Sequence, residues 1–166
     1  MMRAAVLTIS DSSFSGERED VSGPVVRRRV EGLGWTVVAA MVLPDEVEAI
    51  KEALRARAAS GEVDVILTTG GTGVSPRDVT PEATRAVIDK EIPGLAETMR
   101  IVGRQKTPRA VLSRAVAGLA GRVLIVNLPG SPKGALESLD AIVDLIPHIV
   151  DLAAGRTGHP EAGQPA

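Results

Sequence analysis

The segment VDVILTTGGTG (63–73) decides the fold, because a run of apolar and β-branched residues passes directly into three glycines. Residues 63–69 predict a strand buried on both faces, since near-continuous apolar runs are typical of parallel sheets. Glycines leave the backbone free to turn sharply, so the loop 70–73 is predicted to follow the carboxyl end of this strand. Such a strand needs neighbours on both sides.

Three further segments have the same strand-like character: AAVLTIS (4–10), TVVAAMVL (36–43) and VLIVN (123–127). Helical patterns lie between and after the strands, and helices are predicted over 21–33, 45–59, from residue 80, and over 136–146 and 149–153. Strands and helices therefore alternate. This order predicts a three-layer, doubly wound α/β fold with a mostly parallel sheet and helices on both faces.

One segment departs from this alternation. AVLSRAVA (110–117) is separated from the strand that starts near Arg122 only by GLAG (118–121). Such a link is too short for a parallel crossover, so the segment 110–117 is predicted to add one antiparallel strand.

Three helix ends carry recognisable signals. Gly34 is expected to end the helix over 21–33. Thr80 is predicted as a helix N-cap, with Pro81 in the first helical position. Pro147 predicts a break between the last two helices.

Length and composition limit the classes of function. The 166 residues suit one domain over 1–155, and the polar sequence of 156–166 predicts a flexible tail. A net charge of −2 gives no support for a polyanion partner. Phe14 and Trp35 are the only aromatic residues, which disfavours binding to single-stranded nucleic acid.

The chain lacks cysteine, so disulfides, thiol nucleophiles and thiolate metal sites are excluded. His148 and His159 both lie near the carboxyl end, which makes a zinc site improbable. No apolar run suits a signal peptide or a membrane helix, and a cytoplasmic protein is therefore expected.

Unusual loops follow the predicted strands, and ligands of open α/β sheets bind beyond the carboxyl ends of the strands. Gly70-Gly71-Thr72-Gly73 would let backbone N–H groups approach a phosphate. The loop matches neither a Walker loop nor a dinucleotide fingerprint. A tight turn without any ligand is the other interpretation, and the loop by itself does not decide between them.

Two acidic residues lie at the strand ends of neighbouring βα units. Asp78 could hold Mg²⁺ and Arg77 could pair with a phosphate, but an acid and a solvated arginine near a helix start are also common. Asp45 could simply cap the helix 45–59. If the two carboxylates lie close together, they could share one Mg²⁺ bound to a triphosphate.

Two more loops offer anion-binding groups. Ser131 is predicted to cap a helix that has Pro132 in its first position, and this helix start with Gly130 and Lys133 could bind an anion. The alternative is a well-capped helix and nothing more. The loop at Ser10 and Asp11 adds hydroxyl and carboxylate groups, which could equally be ordinary loop residues.

Taken together, these loops resemble the MogA/MoaB family of molybdopterin-binding proteins. The matching stretches run through nearly the whole chain: LTISDS (7–12), DVSGP (20–24), VLPDE (42–46), LTTGGTG (67–73), RDVTPEA (77–83), GLAETMR (94–100), LSRAVAG (112–118) and NLPGSPKG (127–134). The combination of TTGGTG with RDVTPEA is far more specific than any single loop.

The resemblance implies a doubly wound α/β domain that joins molybdopterin to the AMP moiety of ATP, releases pyrophosphate and so serves molybdenum cofactor synthesis. It implies Asp45 and Asp78 as the catalytic pair that holds Mg²⁺, and Gly70, Gly71, Thr72 and Gly73 as the nucleotide phosphate loop, with Arg77 beside it. Ser10, Asp11, Gly130, Ser131 and Lys133 would form walls for nucleotide and pterin. It further implies a homo-oligomer, a trimer or a hexamer, and a molybdenum insertase as a partner.

Two other functions stay open on the same residues. A non-enzymatic carrier or scaffold would bind molybdopterin without cleaving ATP. A nucleotide pyrophosphatase is a weaker alternative, because a related domain occurs in competence-damage-type proteins.

Overall fold

The computed structural model describes residues 1–156 of the chain. Their six strands are β1 (Arg3–Ile9), β2 (Thr36–Leu43), β3 (Val65–Thr69), β4 (Lys90–Glu91), β5 (Ala117–Ala120) and β6 (Val123–Leu128). The strands form one sheet in the order β2-β1-β3-β6-β5-β4. β2, β1, β3 and β6 are parallel, and β5 is antiparallel to both of its neighbours.

The α-helices are α1 (Asp11–Phe14), α2 (Ser22–Gly32), α3 (Val47–Ala59), α4 (Thr80–Arg85), α5 (Pro93–Arg104), α6 (Pro132–Asp140) and α7 (Ile146–Ala153). Short 3₁₀ helices cover Pro108–Leu112 and Val143–Leu145. Within residues 1–156, no helix is both long enough and apolar enough to cross a bilayer. The predicted tail lies, apart from Arg156, outside the described residues, and so does His159.

Apolar side chains pack on both faces of the sheet. On one face, strand residues such as Val6 and Leu67 pack with Val26 of α2 and Leu139 of α6. On the other face, a second cluster includes Ile50 of α3. Each strand residue contributes to one face or the other because side chains alternate along a strand. The predicted three-layer, doubly wound fold is confirmed.

The predicted antiparallel strand exists, but its position in the sequence is wrong. Residues 108–112 form a 3₁₀ helix that begins at Pro108, and β5 lies, except for Ala117, within the segment 118–121 that was expected to be only a link. Gly121, with a φ of 60°, then turns the chain into β6. Gly118 permits this placement, because a Cβ there would come within 2.5 Å of the Lys90 carbonyl oxygen on β4.

Helix boundaries also differ from the prediction. The expected helix over 136–146 ends at Asp140, and α7 begins at Ile146 with Pro147 in its first turn. Pro147 therefore starts a helix instead of breaking one, since a first-turn residue needs no N–H partner. α5 and β4 are present in the structure but are not predicted from the sequence. Gly34, with a φ of 81°, follows the end of α2 as predicted.

Candidate functional site

The candidate site lies at the carboxyl ends of the parallel strands, where the strand order reverses. β1 lies between β2 and β3, and the chain leaves β1 toward β2 on one side but leaves β3 toward β4, β5 and β6 on the other. A crevice forms at such a position because the loops that follow the two strands separate. The loops after β1, β2, β3 and β6 line this crevice.

Asp11 and Asp45 join the first two loops by a reciprocal pair of hydrogen bonds. The Asp11 N–H donates to Asp45 Oδ2, and the Asp45 N–H donates to Asp11 Oδ1, each at 2.9 Å. Asp45 therefore does not cap the following helix, which begins at Val47 with Glu46 in the cap position. The interpretation of Asp45 as a helix cap is wrong because its carboxylate accepts a hydrogen bond from Asp11, which is distant in sequence.

Arg77 closes the outer side of this arrangement. Its Nε and Nη2 donate to both oxygens of Asp11 at 2.9 and 3.0 Å, and Nη2 also reaches Glu46 Oε1 at 3.0 Å. The hydrogen bond from the Asp45 N–H, with help from Arg77, holds the pKa of Asp11 below its usual value. Arg77 is thus paired with carboxylates, and its role toward a phosphate stays a prediction.

The loop of residues 70–73, called the glycine loop below, lies against two carboxylates. A Cβ at Gly71 would lie 2.3 Å from Thr80 Oγ1 and 3.1 Å from Asp45 Oδ1. A Cβ at Gly73 would lie 2.8 Å from Asp78 Oδ2. The absence of side chains at these two positions therefore lets Asp45 and Asp78 approach the same short stretch of backbone.

The charge of Asp78 also acts on Asp45. Burial raises the pKa of Asp45 above its ordinary value, and the neighbouring charges of Asp11 and Asp78 raise it further, while the hydrogen bond from the Asp11 N–H opposes the rise. A cation bound by Asp45 and Asp78 would offset the repulsion between their negative charges.

The two carboxylates fit a magnesium ion. Asp45 Oδ2 accepts the Asp11 N–H and Asp78 Oδ2 accepts the Ser75 N–H at 2.9 Å. Within residues 1–156, neither Oδ1 atom accepts a hydrogen bond, and no group of three or more His, Asp or Glu side chains is arranged around one point. Mg²⁺ commonly takes one or two carboxylates and completes its shell with phosphates and water.

Threonine hydroxyl groups hold the glycine loop in place. Thr80 Oγ1 donates to the Gly70 carbonyl oxygen at 2.9 Å, and Thr69 Oγ1 donates to the Pro129 carbonyl oxygen at 2.7 Å. Thr80 therefore does not cap its helix, and Val79 takes the cap position without a side-chain hydrogen bond. Within residues 1–156, the N–H groups of Gly71, Thr72 and Gly73 donate to no protein acceptor, which leaves them available to an anion.

Two cavities meet at this loop. One, of about 520 Å³, is lined mainly by polar groups, including Ser10, Asp45 and Thr69. The other, of about 370 Å³, has more apolar walls, including Met99 and Leu112. Both cavities are lined by Gly71, Asp78, Gly130 and Ser131. The crevice thus offers two compartments of small-molecule size that share one boundary.

The structure brings most of the predicted site residues to these cavities. The residues that line one or both are Ser10, Asp45, Gly70, Gly71, Thr72, Gly73, Asp78, Gly130 and Ser131. Ser131 caps α6 as predicted, because its hydroxyl accepts the Gly134 N–H at 3.1 Å. Asp11 and Arg77 lie beside the cavities and pair with each other. Lys133 lines neither cavity, and its side chain is 85% exposed with Glu137 nearby.

Sequence reasoning missed most of one wall of the site. In this wall it offers only Ser113 and Arg114 as residues that could reach the site from the predicted strand, with a salt bridge at the strand end as the alternative. The segment 99–115 lines the smaller cavity with Met99, Arg100, Thr107, Arg109 and Ser113, among others. It also supplies Arg114, whose side chain holds the glycine loop from behind. The motif LSRAVAG (112–118) is the available signal, whereas the apolar pattern of residues 110–117 predicts a strand.

Asn127 supports the site from below. Its side-chain amide donates to Thr68 Oγ1 at 3.0 Å and Thr84 Oγ1 at 2.9 Å, and its Oδ1 accepts the Val116 N–H at 3.1 Å. The residue is fully buried, so these partners replace the water that it loses. Asn127 thereby links β3, α4 and the start of β5 directly beneath the loops.

The chain is similar to several known proteins. A crystal structure of the molybdopterin biosynthesis enzyme MoaB from Thermus thermophilus is 53% identical, with a TM-score of 0.88, and the match covers 93% of this chain and 98% of that one. The molybdopterin adenylyltransferase of Helicobacter pylori is 39% identical over 152 residues, 90% of this chain and 86% of that protein.

Some relatives are much longer. The molybdenum cofactor synthesis protein cinnamon of Drosophila melanogaster is 45% identical over 148 residues, which is 89% of this chain but 25% of that protein. Matches to the next relatives cover between 32% and 61% of their length. The family model described as "Probable molybdopterin binding domain" matches residues 5–148. The chain therefore belongs to the family of molybdopterin-binding domains found in MogA- and MoaB-type proteins of molybdenum cofactor biosynthesis.

Proposed function

We propose that this chain is a molybdopterin adenylyltransferase of molybdenum cofactor biosynthesis, which converts Mg-ATP and molybdopterin into adenylyl-molybdopterin and pyrophosphate. The observation that carries the proposal is the glycine loop, which lies against both the Asp45 and the Asp78 carboxylates at the boundary of two cavities. The Helicobacter pylori relative, whose name states this activity, supports it.

Two adjoining cavities suit a reaction between two substrates. One cavity would hold the nucleotide and the other the pterin, so that the α-phosphate of ATP and the phosphate of molybdopterin meet near Gly71 and Asp78. Holding both reactants in this way converts a bimolecular step into an effectively unimolecular one.

The reaction needs no strong general base. An oxygen of the terminal phosphate of molybdopterin attacks the α-phosphorus of ATP, the bond from that phosphorus to the α,β-bridging oxygen breaks, and pyrophosphate leaves. The attacking phosphate is already ionised, so no proton has to be removed. This agrees with a site whose titratable groups are carboxylates and guanidinium groups.

The residues of the chain therefore act by alignment and by charge. The free N–H groups of the glycine loop are suited to bind phosphate oxygens. Asp45 and Asp78 would hold Mg²⁺, which when bound neutralises negative charge on the triphosphate.

A non-catalytic molybdopterin carrier or scaffold is the second candidate. One observation favours it. Asp45 and Asp78 each accept a backbone N–H, and Arg77 is paired with Asp11 and Glu46, so the loops are held together by protein contacts alone. In that case the carboxylates would serve only to shape the crevice.

Titration calorimetry of ATP binding, with Mg²⁺ or with a chelator, separates the two candidates. We expect Mg²⁺ to strengthen ATP binding to the unchanged protein. Asp45→Asn and Asp78→Asn should each weaken Mg-ATP binding at least about tenfold, close to 1.4 kcal/mol, because each removes one carboxylate ligand. Asp140→Asn, at the exposed end of α6, is the matched control and should bind as the unchanged protein does.

ATP affinity that is the same with Mg²⁺ and with chelator, and the same in both variants, would contradict the metal role of Asp45 and Asp78. Molybdopterin binding without any ATP binding would favour the carrier. Release of pyrophosphate from ATP without molybdopterin would instead favour a nucleotide pyrophosphatase.

A further inference from the structure

We propose that Arg114 is a positioning residue, which fixes the backbone of the glycine loop and of Asp78 without contacting either substrate. The part of the proposal that concerns catalysis rests on the proposed adenylyl transfer. The part that concerns the loop rests on geometry alone.

Arg114 makes three hydrogen bonds to carbonyl oxygens of the loop. Its backbone N–H donates to the Thr72 oxygen at 2.8 Å. Its Nε donates to the Gly73 oxygen and its Nη2 to the Asp78 oxygen, each at 2.7 Å. The two side-chain bonds thus hold both ends of the turn 73–78, although Arg114 is more than thirty positions away in sequence.

An ion pair fixes the guanidinium in this position. Nη1 contacts Glu82 Oε1, which lies in the first turn of α4. This contact holds the pKa of Glu82 below its usual value, so the carboxylate stays charged near neutral pH. A planar guanidinium can serve several acceptors at once in a fixed geometry, which the point charge of lysine cannot.

The turn 73–78 determines where the Asp78 carboxylate points. Asp78 Oδ2 accepts the Ser75 N–H at 2.9 Å, within the same turn. Gly73 lies against this carboxylate so closely that a Cβ would be 2.8 Å from Oδ2. A shift at either end of the turn would therefore move the carboxylate that is proposed to hold Mg²⁺.

Arg114 itself does not line the two cavities of the crevice. Its neighbours Ser113 and Ala115 line the smaller cavity, whereas Arg114 faces a separate depression that also contains Arg85 and Glu91. The side chain thus lies behind the loop. It can influence the reaction only through the residues that it holds.

The test compares Arg114→Gln and Arg114→Lys with Arg85→Gln. Arg85 is a matched control, because it lines the same depression and makes one ion pair, with Glu91 at 3.5 Å. Hydrogen–deuterium exchange of residues 72–80 reports on the loop in the protein without substrates. We expect at least about tenfold faster exchange there in Arg114→Gln, a smaller increase in Arg114→Lys, and no change in Arg85→Gln.

Steady-state kinetics of adenylyl transfer supply the second readout. Arg114→Gln should lower kcat by about 10- to 100-fold, because a displacement of about 1 Å at a catalytic site has an effect of this size. The Mg²⁺ concentration for half-maximal rate should rise several-fold, while KM for molybdopterin should change little. Arg85→Gln should match the unchanged protein in all three quantities.

Exchange in Arg114→Gln that equals exchange in Arg85→Gln would overturn the proposal, whatever the activity. Faster exchange with unchanged kcat and unchanged Mg²⁺ requirement would reduce Arg114 to a stabilising contact and would also overturn the positioning role. If the unchanged protein transfers no adenylyl group, the proposed function fails, and the exchange comparison alone decides whether Arg114 fixes the loop.

Discussion

Gly70 shows why the loop after β3 needs glycine at a particular position. Its φ is 101°, a conformation that residues with side chains rarely adopt. A Cβ at Gly70 would also lie 2.2 Å from the carbonyl oxygen of Ile9, at the end of β1. The close approach of these two chain segments forms the floor of the crevice.

Replacing Gly70 by alanine is expected to lower the free energy of unfolding by at least about 3 kcal/mol, because backbone strain and a backbone clash act together. Urea unfolding followed by circular dichroism measures the change. The control is Gly32→Ala, at the exposed end of α2, where a Cβ would meet no atom within 4 Å. It should be neutral, or stabilising by up to about 1 kcal/mol. Equal stabilities for the two variants would contradict this account of the loop.

The location of Asp45 and Asp78 at the same end of the sheet could be predicted from sequence, because the carboxyl ends of parallel strands lie together, although β1 separates β2 from β3. The cap predicted at Thr80 and the capping alternative considered for Asp45 were both wrong, for a common reason. Each side chain is bonded to a distant residue, Asp11 in one case and Gly70 in the other. Sequence signals for caps consider only neighbouring residues and do not register such partners.

At the scale of secondary structure, the four parallel strands could be predicted because their apolar runs are buried on both faces. The structure of the segment from α5 to β5 could not be predicted from its sequence. α5 is strongly amphipathic, but it begins with Pro93 and Gly94. Because both residues are unfavourable inside helices, the start of α5 is difficult to recognise from sequence. β5 contains Gly118 and small residues, which are weak strand formers. The sequence therefore does not predict the wall of the smaller cavity that this segment forms.

The ends of β1 and β3 that lie away from the crevice are joined by an ion pair with a testable pH dependence. Asp64 accepts hydrogen bonds from the Arg3 backbone N–H and from its Nη2, both at 2.8 Å. The side-chain hydrogen bonds of Arg3 hold the pKa of Asp64 below its ordinary value of 3.8. The stabilisation is therefore present above the unfolded-state pKa and is lost as the pH falls through the lower, folded-state pKa.

Asp64→Asn should accordingly be less stable than the unchanged protein at pH 7, by about 1 kcal/mol after allowance for solvent screening. The difference should shrink progressively below about pH 4, where the carboxylate becomes protonated. Urea unfolding of both proteins from pH 7 to pH 3 measures it, and Asp151→Asn on the exposed side of α7 serves as the control. A difference that does not vary with pH would contradict the electrostatic explanation.

For the whole molecule, the doubly wound topology places the loops that carry the proposed ligand groups at the carboxyl end of one sheet, although the Lys133 side chain lines neither cavity. Strand order alone explains the crevice between β1 and β3, and the two cavities explain how two substrates could meet there. The homotrimer or hexamer and the molybdenum insertase partner follow only from the resemblance, and the cytoplasmic location follows only from the apolar pattern of the sequence. All three stay predictions. These three properties depend on other molecules and on the cell, and the packing of a single chain does not determine them.

The measurement that tests the central claim most directly is a single-turnover assay with purified protein, Mg-ATP and molybdopterin, in which adenylyl-molybdopterin is detected by mass. We predict that product forms with Mg²⁺, that it is absent with a chelator, and that Asp78→Ala loses turnover while its circular dichroism spectrum stays that of the unchanged protein. Bound molybdopterin that is never adenylylated would contradict the enzyme and favour the carrier. Normal turnover in Asp78→Ala would contradict the metal role of that residue.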